Sequence, residues 1–243
     1  MAHFVRTAGS ALQHWVSRLT GTVKGDCAVV HSEGAAGLRA RRRDERRTRL
    51  TAAGRDLFAS QGYDRTTIGQ VCTAARVSMR AFYEEFATKQ ALLIAVHEKV
   101  TVAGMDAVAA VMRRPDFDDL PTAERVGLLF GAYAAAVTED PAGAKVAFVE
   151  VLAAGSEVEE HRLMWRSLWT AFFSAEIARA VARGEADDRD HSLAIVALIG
   201  AVNELLAHWC RGSGRQVTPA ALARELTRLT LGTLGVRFPE EVR

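Results

Sequence analysis

Strand signals are nearly absent from the 243 residues: few alternating runs of β-branched and aromatic residues stand between turn formers, which argues against a sheet-based architecture. Cysteine is scarce as well. Cys27, Cys72 and Cys210 are odd in number, far apart and in no CxxC spacing, which excludes a disulfide framework and a zinc site and fits a reducing, cytoplasmic compartment. No apolar run approaches the ~20 residues of a membrane-spanning helix. The longest, residues 193–202, is closed by Asn203 and Glu204, so a core helix is expected there and no membrane as a partner. Catalytic signatures are missing too: there is no GxSxG, HExxH, GxxxxGK[ST] or GxGxxG, and no HxxxH pair, so neither an enzyme nor a cofactor or metal is expected. DDRDH at residues 187–191 reads as a loop with a helix cap, and EVEEH at residues 157–161 as an acidic first turn.

Charge of one sign is also lacking overall, since the formal net charge is only +2. Its distribution is uneven, however. Up to Gln90 there are 15 Lys and Arg against 8 Asp and Glu, and beyond it 16 against 21, so a basic front half precedes an acidic back half. Residues 1–37 hold one short apolar-faced stretch followed by GTVKGDCAVVHSEGAAG. They read as a poorly ordered extension rather than a targeting signal.

From LRARRRDERRTRL onward helical periodicity dominates, and the expected fold is all-α. Leu50, Ala53, Leu57 and Phe58 fall at helical spacing, with Gly62 the expected C-cap. Thr66 or Thr67 caps a short helix to about Ala75, RVS makes a turn, and residues 78–86 form a second short helix. Thr88 then caps a longer helix over residues 89–114, which Pro115 ends. Two short helices joined by about three residues are the geometry of a helix-turn-helix, whose second helix enters the major groove.

The run LFASQGYDRTTIGQVCTAARVSMRAFYEEFATKQALLIAV resembles the DNA-binding region of the TetR family of bacterial transcription regulators, densely from Leu50 to Val96. Leu57, Phe58, Gly62, Tyr63, Thr66, Thr67, Val77, Ser78, Tyr83, Phe86 and Lys89 carry the likeness. It implies a helix-turn-helix domain over residues 38–95 and a helical ligand-binding and dimerisation domain over residues 96–236. It also implies a double-stranded, pseudo-palindromic DNA operator, a small apolar effector and a homodimer.

Carried onto this sequence, Thr67, Gly69 and Gln70 face the backbone or the groove edge. Ser78, Met79, Arg80 and Ala81 form the turn that meets base edges, while Tyr83 and Lys89 are phosphate contacts. Phe86 and Cys72 read as core. Three positions depart from the family pattern. Arg76 stands where glycine is usual and φ > 0 is expected, Arg80 also replaces a glycine, and Glu85 replaces a His or Tyr. Arg80 suits a bidentate pair with guanine; Glu84 and Glu85 either accept from cytosine, form i,i+4 pairs, or face solvent. The run Arg39, Arg41, Arg42, Arg43, Arg46, Arg47 and Arg49 reads either as counterion-releasing DNA contacts or as a solvated helix start.

Five helices are expected after residue 115. Met164, Trp165, Leu168, Trp169, Phe172 and Phe173 form an aromatic stripe that, with Met105, Phe130, Tyr133 and Phe148, reads either as solid core or as the lining of an apolar ligand pocket. Leu198, Ala201, Val202 and Leu205, beside Gly200, and Leu226 and Leu229 in the last helix are expected at an isologous four-helix dimer interface. Asn203, Glu204 and His208 are expected to satisfy one another or to edge the pocket. The sequence therefore points to a dimeric repressor released by an apolar ligand. The rival is a helical binding or catalytic protein whose motif no longer meets DNA, with the two glutamates as its main argument.

Overall fold

The computed structural model describes residues 35–212 and 217–236, which are helical with no strand among them. The extension expected over residues 1–37 lies outside the described residues up to residue 34. The first helix, α1 (Ala35–Gln61), crosses between two compact units, one ending at Arg42 and the other running from Arg43 onward.

Local chemistry sets the helix ends. α1 stops where Gly62 takes φ 92 and returns its N–H to Phe58 O at 3.0 Å. In α2 (Ile68–Ala75), Thr67 and Gln70 form a reciprocal capping box. Ser78 caps α3 (Met79–Glu85), and Thr88 caps α4 (Lys89–Met112), each through a side-chain oxygen that accepts an N–H three residues on. α5 (Thr122–Thr138) follows a 3-10 turn at Phe117–Asp119, and its first N–H donates to the Glu185 carboxylate at 2.7 Å. α6 (Pro141–Phe148) has Asp140 as its cap and proline in its first turn. Then come α7 (Ser156–Ala182), α8 (Ser192–Cys210) and α9 (Pro219–Leu234), the last ended by Gly235 at φ 68.

One expected helix is broken. PAGAKVAFVEVLAAG leaves α-geometry at Val149 (φ −121, ψ −60) and continues as a 3-10 turn, Glu150–Ala153. The break serves tertiary contacts that local pattern does not encode: the Glu150 carboxylate accepts Tyr63 N–H at 2.9 Å, while Val151 is buried against the motif.

The apolar core beneath the helix-turn-helix joins Leu50, Phe58, Val71, Phe82, Leu92 and Ile94 to Val146, Val151, Ala154 and Val158 from the region after α5. A second core gathers Ile177, Ile195, Ile199, Leu231 and Leu234. α5 packs closely on both α4 and α9. Gly104 makes the first of these approaches possible, because a Cβ there would lie within 3 Å of the Tyr133 ring and Val137. By length and composition α8, at 19 residues, is able to cross a membrane, which the shorter run 193–202 had concealed. In the fold Ile195, Leu198, Ile199, Val202 and Leu206 are buried against neighbouring helices, and about a third of the span is buried in all.

The turn of the motif carries Arg76 at φ 54, ψ 48, with its N–H on Cys72 O and Thr73 O. A side chain in this left-handed region costs about 1 kcal/mol relative to glycine. Arg76→Gly is expected to stabilise the protein by ~1 kcal/mol, less the entropy that glycine adds to the unfolded chain, read as a raised urea midpoint at unchanged slope.

Candidate functional site

Two surfaces carry the chemistry. The first is the exposed side of α2 and α3. Thr67, Gly69, Gln70, Ser78, Met79, Arg80 and Tyr83 are exposed there, and Ala81 is half-buried. The hydroxyl of Thr67 and the amide oxygen of Gln70 are engaged in capping one another's backbone, so both side chains are held in place before any partner arrives. Tyr83 is 54 % exposed, with its ring edge-on to Phe82, whereas Phe86 is buried. The Arg80 side chain is 92 % exposed and lies 3.5 Å from Glu84 across one helical turn.

Glu85 departs from all three expectations. Its side chain is fully buried, taking Arg43 Nε at 3.2 Å and Arg46 Nη2 at 2.8 Å. Arg47 donates to Glu85 O at 3.2 Å and lies 4.4 Å from the centroid of the Phe86 ring. Part of the arginine run thus clamps the C-terminus of α3, where cations also complement the helix dipole. Glu84 remains at the surface, between Arg80 and Arg46 at 3.6 Å. Lys89 differs as well. Its ammonium donates to Tyr63 O at 2.9 Å and Thr66 O at 3.0 Å and lies over the Tyr63 ring. Since an ammonium has three protons, one is left for a phosphate, and the lysine braces the loop that leads into α2.

The second surface is internal. A cavity of about 250 Å³ lies between α4, α5, α6 with the 3-10 turn after it, α7, α8 and α9. Seven of the expected pocket residues line it: Phe130, Tyr133, Phe148, Trp165, Trp169, Phe172 and Phe173. Met105 and Met164 do not. Met105 is buried in the packing of α4, where the close approach at Gly104 leaves no gap to α5, and Met164 is turned away from the cavity-facing stripe of α7. The polar lining was not foreseen: His97 and Thr101 from α4, Arg125 from α5, and Arg162, Arg166 and Glu176 from α7. The α7 members continue the aromatic stripe at i,i+3 and i,i+4, so its period carried the signal. Asn203 and Glu204 edge the cavity, yet neither satisfies the other. Asn203 donates to Ile199 O and Glu204 pairs with Arg211.

Arg125 is buried and saturated. It meets Glu176, Phe117 O at 3.1 Å and Asp118 at 3.4 Å, and it stacks on Phe117. His97 Nδ1 lies 3.2 Å from His161 Nε2, which also accepts Trp165 Nε1–H at 3.1 Å. An indole only donates, so His161 Nε2 is an acceptor, His97 Nδ1 donates to it, and the His161 ring is neutral. Burial pushes His97 down to about 3, with the neighbouring His161 and Arg162 adding to the effect, and burial pushes His161 down to about 4. Thr230 is buried in the cavity wall, and its hydroxyl has no hydrogen-bond partner among the described residues.

The expected dimer positions divide. Leu198, Val202 and Leu226 are buried inside the chain, Ala201 and Leu205 are half-buried, and only Leu229 is exposed. α8 thus turns Leu198 and Val202 toward its own neighbours, while Ala201, Leu205 and Leu229 keep accessible surface. The apolar residues it leaves outside are Leu193, 84 % exposed, and Val196, 54 % exposed.

Between the two surfaces lies residues 140–154. Arg55 pairs with Asp140 at 2.9 Å, Lys145 donates to Ala59 O at 2.6 Å, and Gln90 donates to Ala154 O at 2.8 Å. On its other side Ala147, Phe148, Val151 and Leu152 line the cavity.

Residues 50–96 match the family described as bacterial regulatory proteins, tetR family, and residues 119–234 match a tetracyclin repressor-like C-terminal domain. The fold is similar to that of a tetR-family regulatory protein from Rhodococcus RHA1, with a TM-score of 0.62 at 23 % identity over 79 % of this chain and 98 % of that one. It is also similar to the fatty acid degradation regulator FadR of Bacillus halodurans, with a TM-score of 0.68 at 17 % identity over 85 % and 100 % of the two chains. FadR of Bacillus subtilis, solved with stearoyl-CoA, has a TM-score of 0.65 at 16 % identity over 76 % and 98 %. No curated protein matches the chain.

A histidine with a lowered folded value takes its proton first in the unfolded chain. The stability that His97 and His161 contribute is therefore whole above pH ~6.5 and is lost as pH falls toward 4, at up to about 1.4 kcal/mol per pH unit for each ring. Denaturant midpoints across pH 7 to 4 are expected to fall more steeply for the wild type than for a His97→Gln, His161→Gln variant.

Proposed function

The chain belongs to the TetR family of bacterial regulatory proteins, and we propose that it acts as a dimeric repressor that leaves its DNA operator when a small, largely apolar ligand fills the cavity. The observation that carries this reading is the face of α3. Arg80 projects into solvent from a short helix whose start Ser78 caps and whose end Arg43, Arg46 and Arg47 hold. An exposed guanidinium on a helix held at both ends suits a bidentate pair with guanine O6 and N7 in the major groove. Met79, Tyr83, Thr67 and Gln70 surround it as further contacts to bases or backbone, with Ser78, Gly69, Ala81 and Lys89 in support. The rival without DNA binding loses half of its argument, because Glu85 is spent on arginines inside the domain. Glu84 holds Arg80 loosely until a base replaces it.

Ligand control is supported by the placement of α6 and the 3-10 turn after it, whose residues belong both to the cavity wall and to the core under the motif. α4 shares that position, running from the motif past the cavity with His97, Thr101 and Val108 in its wall. A ligand that favours one setting of these two elements changes the separation of the α3 helices in a dimer. A fold-sharing neighbour holds stearoyl-CoA, which accords with a cavity of this type. The dimer face is assigned to Leu193, Val196 and Gly200 of α8 with Leu229 of α9, exposed apolar and small positions on the last two helices. The cytoplasm is the compartment of such a regulator.

Selection from random double-stranded DNA is expected to enrich a pseudo-palindrome, and failure to enrich any site rejects operator binding. On the selected site Arg80→Ala is expected to cost about 1–3 kcal/mol and to relax preference at one or two base pairs. An equal loss on all sequences would make Arg80 a phosphate contact instead. In sedimentation, Leu193→Asp with Val196→Asp is expected to convert dimer to monomer at micromolar concentration with helicity retained; an unchanged dimer refutes the assigned face.

A further inference from the structure

The charged groups around the cavity are balanced with one exception. At the end nearest the C-terminus of α7, Arg125 and Arg179 face Glu176 and Asp118. Toward the other end Arg162 pairs with Glu159, and Glu204 pairs with Arg211 at 3.1 Å. His97 is buried and neutral. Arg166 lines the cavity half-buried, and among the described residues no acceptor meets its guanidinium. A cation drawn partly out of water without a counter-charge is a standing cost. The planar fork of an arginine is also the side chain best matched to two oxygens of a carboxylate or phosphate.

From Arg166 the cavity face of α7 runs through Trp169, Phe172 and Phe173 to Glu176, on the order of 15 Å at the helical rise per residue. That is about the reach of a dodecyl chain. The stretch between is aromatic, and its far end carries the neutral cluster around Arg125, which has no unpaired charge to offer a second anion.

We propose that the ligand is an elongated aliphatic anion, whose carboxylate or phosphate group sits against Arg166 and whose tail lies along Trp169, Phe172 and Phe173. This rests on the cavity being the effector site and adds the ligand's class, polarity and orientation. Neutral apolar molecules of the same length enter more weakly, because they leave the guanidinium unanswered. Short anions bind poorly for want of the tail.

The full chain is titrated, below micelle-forming concentrations, with dodecanoate, dodecyl phosphate and 1-dodecanol, following the fluorescence of Trp165 and Trp169 in the cavity wall. At least one of the two anions is expected to bind about tenfold or more tightly than the alcohol. The order of the two anions then distinguishes a free acid from a phosphorylated lipid as the source. Arg166→Gln is expected to abolish the preference, the two anions losing about tenfold or more while 1-dodecanol loses nothing or gains. Arg166→Lys is expected to retain part of it, since the charge stays and the fork is lost. The helical circular-dichroism spectrum and melting temperature of both variants should match the wild type. If the alcohol binds as tightly as both anions, or if Arg166→Gln keeps the preference, the anion site is overturned and the effector cavity stands. If none of the three probes binds, the cavity reading fails with it.

Discussion

The packing of residues 146–158 into the core of the helix-turn-helix is the contact on which the rest of the molecule depends. Val146, Val151, Ala154 and Val158 are at most 3 % exposed, beside Leu50, Phe58, Val71 and Phe82. Burying four such side chains is a large share of the apolar area available to so small a motif. Its core is completed by the segment whose opposite side forms the cavity wall. Polar contacts fix the register of that packing, with Arg55 on Asp140, Lys145 on Ala59 O and Glu150 on Tyr63 N–H. That segment therefore forms part of the platform beneath α2 and α3. Core packing is dense and responds in discrete rearrangements rather than gradually.

The arginine-rich α1 has an equally structural side. A basic run ahead of a helix-turn-helix invites reading as a DNA arm, yet Arg43, Arg46 and Arg47 turn inward to the end of α3. Glu85 is the reason. A buried carboxylate needs counter-charges and hydrogen bonds, and α1 supplies them from one face at i, i+3 and i+4. The departure of Glu85 from the family pattern and the density of arginine opposite it are thus one feature. Arg39, Arg41, Arg42 and Arg49 are exposed, and Arg43 and Arg47 also keep exposed surface while they hold the motif. Arg76 adds a smaller departure of the same kind. The strain of its left-handed backbone is tolerated because Cys72, Val71 and Ala75 around the turn are buried.

The cavity joins two kinds of chemistry that usually exclude each other in a core. Its aromatic wall is ordinary packing material, tilted and edge-on ring pairs from Tyr133 and Trp169 to Phe172 and Phe173. Into that wall are set Arg125, His97 with its partner His161 outside the lining, Thr230 and Arg166. The first three positions are satisfied internally by ion pairs, stacking or ring-to-ring hydrogen bonding. A region held by buried polar contacts is sensitive to what enters it, since each group keeps its partners only in one arrangement.

The sequence by itself determined the helical class, the ends of nearly every helix and the identity of the motif. These depend on signals that are local in the chain: a capping hydroxyl at Thr67, Ser78, Thr88 and Thr218, a glycine at Gly62 and Gly235, and the three-residue turn between α2 and α3. The aromatic stripe of α7 was equally legible, because period 3.6 places its members on one side of a helix. What only the tertiary structure decided was which partner each side met. Glu85 could not be assigned without knowing that α1 crosses the end of α3, nor Lys89 without the carbonyls of Tyr63 and Thr66 above it. The outward face of α8 followed from how that helix sits on α6, α7 and α9 rather than from its own pattern, since apolar residues occupy most of its circumference. Periodicity gives the angle between side chains on one helix; the angle of the helix against its neighbours is set by long-range packing that no window of sequence contains.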